Sequence, residues 1–227
     1  MVGRSCLWTL VVLSLSLAPL MSARAADRLD PGRPVIVKFS VAGRVGEAQV
    51  FATATFQSIG LQMLAEGGTI NVNGVPLVAA PLKKQGYWYN GPVPVAGRYE
   101  LEYSLGAGTP TVRKVIVHRN FVPALPPSLS RSRGLVINFV GAPIQAGETV
   151  FAEITGGLGS TRWGQVLRPS ANGNQLIINA SSLTGARLGE ANLYVGVVVR
   201  EATAASDGGS LSSSHAVGSE VPVTVTD

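Results

Sequence analysis

Two histidines, one cysteine and 13 dispersed carboxylates make a thin supply of acid–base, metal-binding and redox groups for a chain of 227 residues. A zinc site needs three or four nitrogen or sulfur ligands, and a calcium loop needs closely spaced carboxylates, which no D-x-D-x-D run provides. A metal or cofactor is not expected. The nearest approach to a nucleophile and its base is Ser212-Ser213-Ser214-His215, inside a Ser- and Gly-rich stretch at 204–216. Catalytic pairs usually meet from separate elements, so neighbours along the chain read instead as a solvated hairpin loop open to a partner. His118 has Arg119 beside it and Arg113, Lys114, Arg131 and Arg133 nearby in sequence, a grouping that an anion could use. Scattered cations at strand ends ordinarily solvate the surface, and that is the expectation here. The densest aromatic run is Tyr87-Trp88-Tyr89. On a strand, Trp88 points away from both tyrosines, so with Trp88 in the core Tyr87 and Tyr89 would form an exposed pair for a sugar ring or a protein. Trp163, beside Arg162 and Gly164, poses the same choice between core and surface. The candidate interaction residues are therefore Tyr87, Tyr89, Ser213 and His215. There is no G-x-S-x-G elbow, phosphate loop, dinucleotide glycine fingerprint, H-E-x-x-H or paired C-x-x-C. The expectation is a protein that is not an enzyme.

The elements that must carry these residues are strands. The chain is 46% hydrophobic and 14% charged, with 27 Gly and 14 Pro, which suits short strands and tight turns better than long surface helices. Expected strands in the first half are 35–41, 48–56, 69–72, 75–79, 86–89, 98–105 and 111–118. Asn73-Gly74 sits between two apolar runs and predicts a type I′ hairpin, since both residues tolerate positive φ. Residues 56–66 could form a short helix or an irregular crossover. Expected strands in the second half are 135–140, 149–155, 162–167, 175–179, 192–201 and 220–226. Between the halves, Pro123, Pro126 and Pro127 and a run of serines predict a linker at 120–134.

Residues 1–25 have a charged start at Arg4, an apolar run, a break at Pro19 and Ala23-Arg24-Ala25 before Ala26. That is the layout of a cleaved secretory signal peptide. Cys6 precedes the apolar run, which disfavours lipid attachment. Cleavage removes Cys6, Arg4 and Arg24 and leaves a cysteine-free product with 16 basic and 13 acidic side chains, a net charge of +3. That is no nucleic-acid footprint, and no later stretch reaches membrane-spanning length. Export without disulfides points to a bacterial periplasm or extracellular space.

Internal similarity suggests duplication. Val50-Phe51-Ala52 and Thr55 recur as Val150-Phe151-Ala152 and Thr155, and 35–39 echoes 135–139 at the same offset. Gly97-Arg98-Tyr99 followed by Leu101, Tyr103 and Leu105 corresponds at another offset to Gly189-Glu190-Ala191 followed by Leu193, Val195 and Val197. The expected core contains Phe39, Val50, Phe51, Tyr99, Leu101, Phe139, Val150, Phe151, Leu193 and Val195.

Gly97-Arg98-Tyr99 resembles the G-x-Y opening of strand F in immunoglobulin-like domains, where the tyrosine hydroxyl bonds back to the corner that precedes it. Residues 69–118 as a whole resemble the immunoglobulin-like modules of exported bacterial envelope proteins. The second half departs from the pattern, with Ala191 in place of the tyrosine. The resemblance implies an all-β chain of two immunoglobulin-like β-sandwiches, at 34–119 and 135–227, after the signal peptide. It implies architecture and no activity. The functional expectation is a non-catalytic binding or structural module of the bacterial cell envelope, meeting a protein partner or a glycan. A carbohydrate-binding module and a periplasmic pilus-assembly chaperone are the alternatives. The basic cleft of those chaperones has no counterpart at matching places, although Arg33 and Lys38 lie on the first strand.

Overall fold

The structure, a computed structural model, describes residues 28–30, 32–58, 60–82, 86–157, 162–204 and 209–227. The expected signal peptide at 1–25 lies outside the described residues. Among those described, regular structure is strand throughout apart from a 3-10 turn at Ala180–Leu183. The first half contributes β1 (Ile36–Arg44), β2 (Gln49–Gln57), β3 (Leu61–Gln62), β4 (Thr69–Val72), β5 (Val75–Pro76), β6 (Val78–Leu82), β7 (Gly86–Pro94), β8 (Arg98–Ser104) and β9 (Val112–Val117). The second contributes β10 (Phe121–Pro123), β11 (Ser128–Ser130), β12 (Leu135–Gly141), β13 (Thr149–Gly156), β14 (Trp163–Leu167), β15 (Ser170–Asn172), β16 (Gln175–Ile178), β17 (Gly189–Ala204) and β18 (Ser210–Thr226).

Period-two burial explains why these segments are strands. In β2, Val50, Ala52, Ala54 and Phe56 are buried, while the residues between them are not. Asn73 and Gly74 take φ of 51° and 76°, as the expected hairpin between β4 and β5 requires. The Asn73 amide also donates to Arg98 O at 3.1 Å, and its oxygen accepts Glu100 N–H at 2.8 Å, which ties the turn to β8. The strand at β7 outruns the expected 86–89 because its two prolines lie beyond the reach of β6, which pairs only with 86–90. A missing N–H is harmless there.

The two halves repeat one topology. In the first, a sheet ordered β1-β2-β7-β6 packs over one ordered β9-β8-β4-β5; in the second, β10-β12-β16-β15 packs over β18-β17-β13-β14. Leaving aside β3 and β11, the two sets match strand for strand in chain order. Each half encloses its own core. Phe39, Phe56, Tyr99 and Leu101 anchor the first, and Phe121, Ile137, Ile154 and Leu193 the second. Tyr99 occupies the corner position that its sequence neighbours suggest, with its hydroxyl accepting Ala96 N–H at 3.4 Å.

The matched topology corrects the reading of the repeat. The echoes at the offset of 100 join β2 to β13 and β1 to β12, whereas the topological counterpart of β2 is β12 and that of β1 is β10. Short apolar alternation recurs in any strand that needs it. The other echo, from Gly97 to Gly189, does join counterparts, β8 and β17. Phe51 and Phe151 are only partly buried, since their neighbours Val50 and Ala152 hold the inward positions, whereas Val150, on the face of Ala152, is partly buried and packs against the second core.

The halves are fused by one hairpin. β17 and β18 pair from Gly189↔Val225 to Ala204↔Ser210, and the first half of β18 then pairs in parallel with β1, from Ile36↔Ser210 to Arg44↔Gly218. The result is a ten-stranded sheet shared by both halves. One face of β18 runs through the whole molecule: Leu211 enters the first core, while Val217, Val223 and Val225 belong to the second. Residues 120–134, expected as a linker, instead carry β10 and β11 and bury Phe121 and Leu129 in the second core. The prolines bound these short strands without freeing the segment. Residues 210–216, expected as a loop, are strand; the small serines pack between β1 and β17, and tertiary pairing overrides their turn preference.

Candidate functional site

Between Leu211 and Val217 the inward face of β18 presents Ser213 and His215, both buried. This polar interval marks the seam where the strand leaves one core and has not reached the other. The connection from β9 to β10 crosses the same place. His118, whose N–H donates to Gly97 O at 3.0 Å, brings its ring within 4.9 Å of the His215 ring, centroid to centroid. Tyr99 closes the group, at 6.1 Å from the His118 ring and 5.8 Å from that of His215, with its hydroxyl 3.5 Å from His118 Nδ1. The two histidines of the chain thus meet across three elements.

Arg119 locks the group to the second half. Its backbone N–H donates to His215 Nδ1 at 3.2 Å. The guanidinium donates to the Ala142 and Pro143 carbonyls at 2.8 and 3.1 Å and to a Glu148 carboxylate oxygen at 3.0 Å. Both side chains of that ion pair are 9% exposed. The same Glu148 oxygen accepts Gln145 N–H at 2.8 Å and so caps the loop from β12 to β13. A buried pair needs such added bonds to offset its desolvation. A cavity of about 200 Å³ opens beside His118, Arg119, Glu148, Ser213 and His215. A second, of about 110 Å³, lies beside Val45, Val95, Asn120 and the two rings. Burial lowers the pKa of His118. Burial and then the charge of His118 lower that of His215 to about 4. Both rings are neutral at neutral pH.

This geometry positions backbone and does not assemble a nucleophile with its base. His215 spends Nδ1 on a backbone amide, and no hydrogen bond joins it to Ser213 among the described residues. Ser213 at 4% exposure and His215 at 1% are buried, so neither is the loop contact expected of it. Residues 205–208 of the expected contact loop lie outside the described residues. Tyr89 is buried as well, with its hydroxyl accepting Leu64 N–H at 2.6 Å and its ring edge-on to Phe56. Tyr87 and Trp88 are both half-buried, so the expected exposed tyrosine pair does not form. Trp163 packs against the second core. The basic grouping around His118 dissolves into separate pairs: Arg113 with Glu102, Lys114 with Glu201, Arg119 with Glu148 and Arg131 with Asp227.

The outward face of the same strands carries a different surface. Register places Arg200, Ser214, Ser40 and Thr53 in one row across β17, β18, β1 and β2, and Ala202, Ser212, Lys38 and Thr55 in the next. Together they line a groove of about 420 Å³. Asn90, opposite Thr53, extends the first row onto β7, and Trp88 stands two residues away on that face. Among the described residues, neither Lys38 nor Arg200 has a carboxylate within 4.0 Å. Sequence reading missed this surface because its rows exist only once β18 lies beside β1. No known protein family matches the chain, and no curated protein is similar to it.

Proposed function

We propose that the protein is a non-catalytic binding module exported to the bacterial cell envelope, periplasmic or extracellular, and built from two immunoglobulin-like sandwiches. The layout of residues 1–25 supports export. The repeated strand orders support the architecture: β1-β2-β7-β6 and β10-β12-β16-β15 follow the A-B-E-D order, and the opposing sheets follow G-F-C with an added C′ strand. The bond from Tyr99 to Ala96 fits the tyrosine corner of strand F. The observation that carries the binding reading is the groove on the shared sheet, whose hydroxyls and two cations come from both sandwiches. An extended acidic segment of another envelope protein suits its length, its polarity and its charge. Lys38→Glu combined with Arg200→Glu, followed by in-cell cross-linking and mass spectrometry, is the test. A partner captured by the native chain and lost from the double variant supports the reading; capture that is equal in both overturns it.

A glycan is the second reading, favoured by Trp88 on the same face as these hydroxyls. An aromatic ring offers an apolar platform beside the polar groups a sugar needs. Trp88→Ala is then expected to remove retention on isolated envelope polysaccharide, and undiminished retention would exclude this reading.

A further inference from the structure

The ring of His215 cannot satisfy both of its nitrogens. Nδ1 accepts Arg119 N–H at 3.2 Å, so the neutral ring carries its proton on Nε2. Nε2 is buried and meets no hydrogen-bond partner among the described residues. A second proton makes matters worse, because Nδ1–H would then confront the Arg119 N–H that it now accepts. We propose that His215, with His118 beside it, is an acid-released latch: neutral, it holds the connection between β9 and β10 against β18, and protonated, it drops that bond and loosens the seam while both cores stay folded.

The groups around the ring leave an imidazolium without compensation. From β8 comes the neutral Tyr99, and from the connection come His118 and the cationic Arg119. The loop before β13 supplies Glu148, whose charge is already taken by Arg119. From β17 comes Glu201, held by Lys114 of β9 at 2.8 Å, and from β1 the apolar Val41 opposite His215. Glu148 and Glu201 already have their cations. Beside the second cavity Arg44 is paired with Glu220 at 2.6 Å, and Glu47 accepts the Arg44 backbone N–H at 3.3 Å. No carboxylate is hydrogen-bonded to the His215 ring among the described residues, so the added charge would sit next to His118 and Arg119. The two cavities that flank the rings give a charged imidazole room to turn toward water.

The sign follows from linkage. A histidine that titrates at 6.5 when the chain is open and near 4 in the closed seam favours opening by about twentyfold at about pH 5 relative to neutral pH. The experiment is hydrogen exchange with mass spectrometry on the exported chain between about pH 7 and pH 5, corrected for intrinsic amide chemistry. Residues 118–122 and 210–217 are expected to open about twentyfold more at the lower pH, with β2 and β13 unchanged. His215→Asn keeps a side-chain oxygen for Arg119 N–H and cannot titrate, so its seam is expected to be flat across this range. The same acid response in both proteins would overturn the latch. Magnetic-resonance titration of the two histidine rings in the unaltered chain decides the matter if the variant misfolds. A His215 ring that stays neutral to well below pH 6 supports the proposal, and one that titrates at its ordinary value in the folded protein overturns it.

Discussion

Strands β8 and β17 occupy equivalent places in the strand orders of the two halves and differ in opposite directions. β8 is 7 residues long, carries Tyr99 as its second residue and turns back into β9. β17 is 16 residues long, has Ala191 where β8 has the tyrosine, and forms with β18 a hairpin that passes its own core and reaches the other. At about 3.3 Å per residue the extra length is close to 30 Å. The first half therefore stabilises its corner with a hydroxyl, and the second forgoes that bond while its hairpin completes the neighbouring sheet. The difference teaches that the joint is not a tether between finished domains. It is a strand with two apolar ends and a polar middle, and the middle is where the histidines and the Arg119–Glu148 pair gather.

The largest effect is expected from breaking the joint at its charge pair. Arg119→Ala strands Glu148 in a buried site and is expected to cost about 4 kcal/mol, read by calorimetry as one unfolding transition separating into two. Acid should reach the same joint more gently. Because the folded-state pKa of His215 is depressed, its contribution is present above about 6.5 and is lost as pH falls toward 4, amounting to about 3 kcal/mol. Denaturant titrations at several pH values measure it, and His215→Asn should remove most of the slope. Leu211→Ala empties the point where the hairpin enters the first core and is expected to cost about 2 kcal/mol, with faster exchange in β1 and none in β13. The smallest effect belongs to the corner itself. Tyr99→Phe removes long hydrogen bonds to Ala96 and His118 and is expected to cost about 1 kcal/mol, confined to the first half in melting curves.

Much of the architecture was legible because it is local. Alternation in β2 and β4, the Asn73-Gly74 turn and the tyrosine of β8 each announce themselves within a few residues, and all three hold in the structure. The serines of β18 misled because their turn preference is a local signal, whereas their strand state depends on β1, far away in sequence. The burial of His215 was hidden for the same reason. Nothing near Glu148 in sequence marks it as the partner of Arg119. Candidate sites were harder still, since Tyr89 is an aromatic residue whose hydroxyl finds a backbone amide inside the core, a fate that local sequence does not distinguish from exposure. The outward rows of the groove require four strands in register before they exist at all.

The proposed binding function rests on one surface, contributed jointly by the two halves, meeting a partner. A photoreactive residue placed at Ser40 of β1 in one protein and at Ser214 of β18 in another, each in its native cells, tests it most directly. Capture of the same partner from both positions is the result expected. Capture from one position only, or from neither, would contradict the claim.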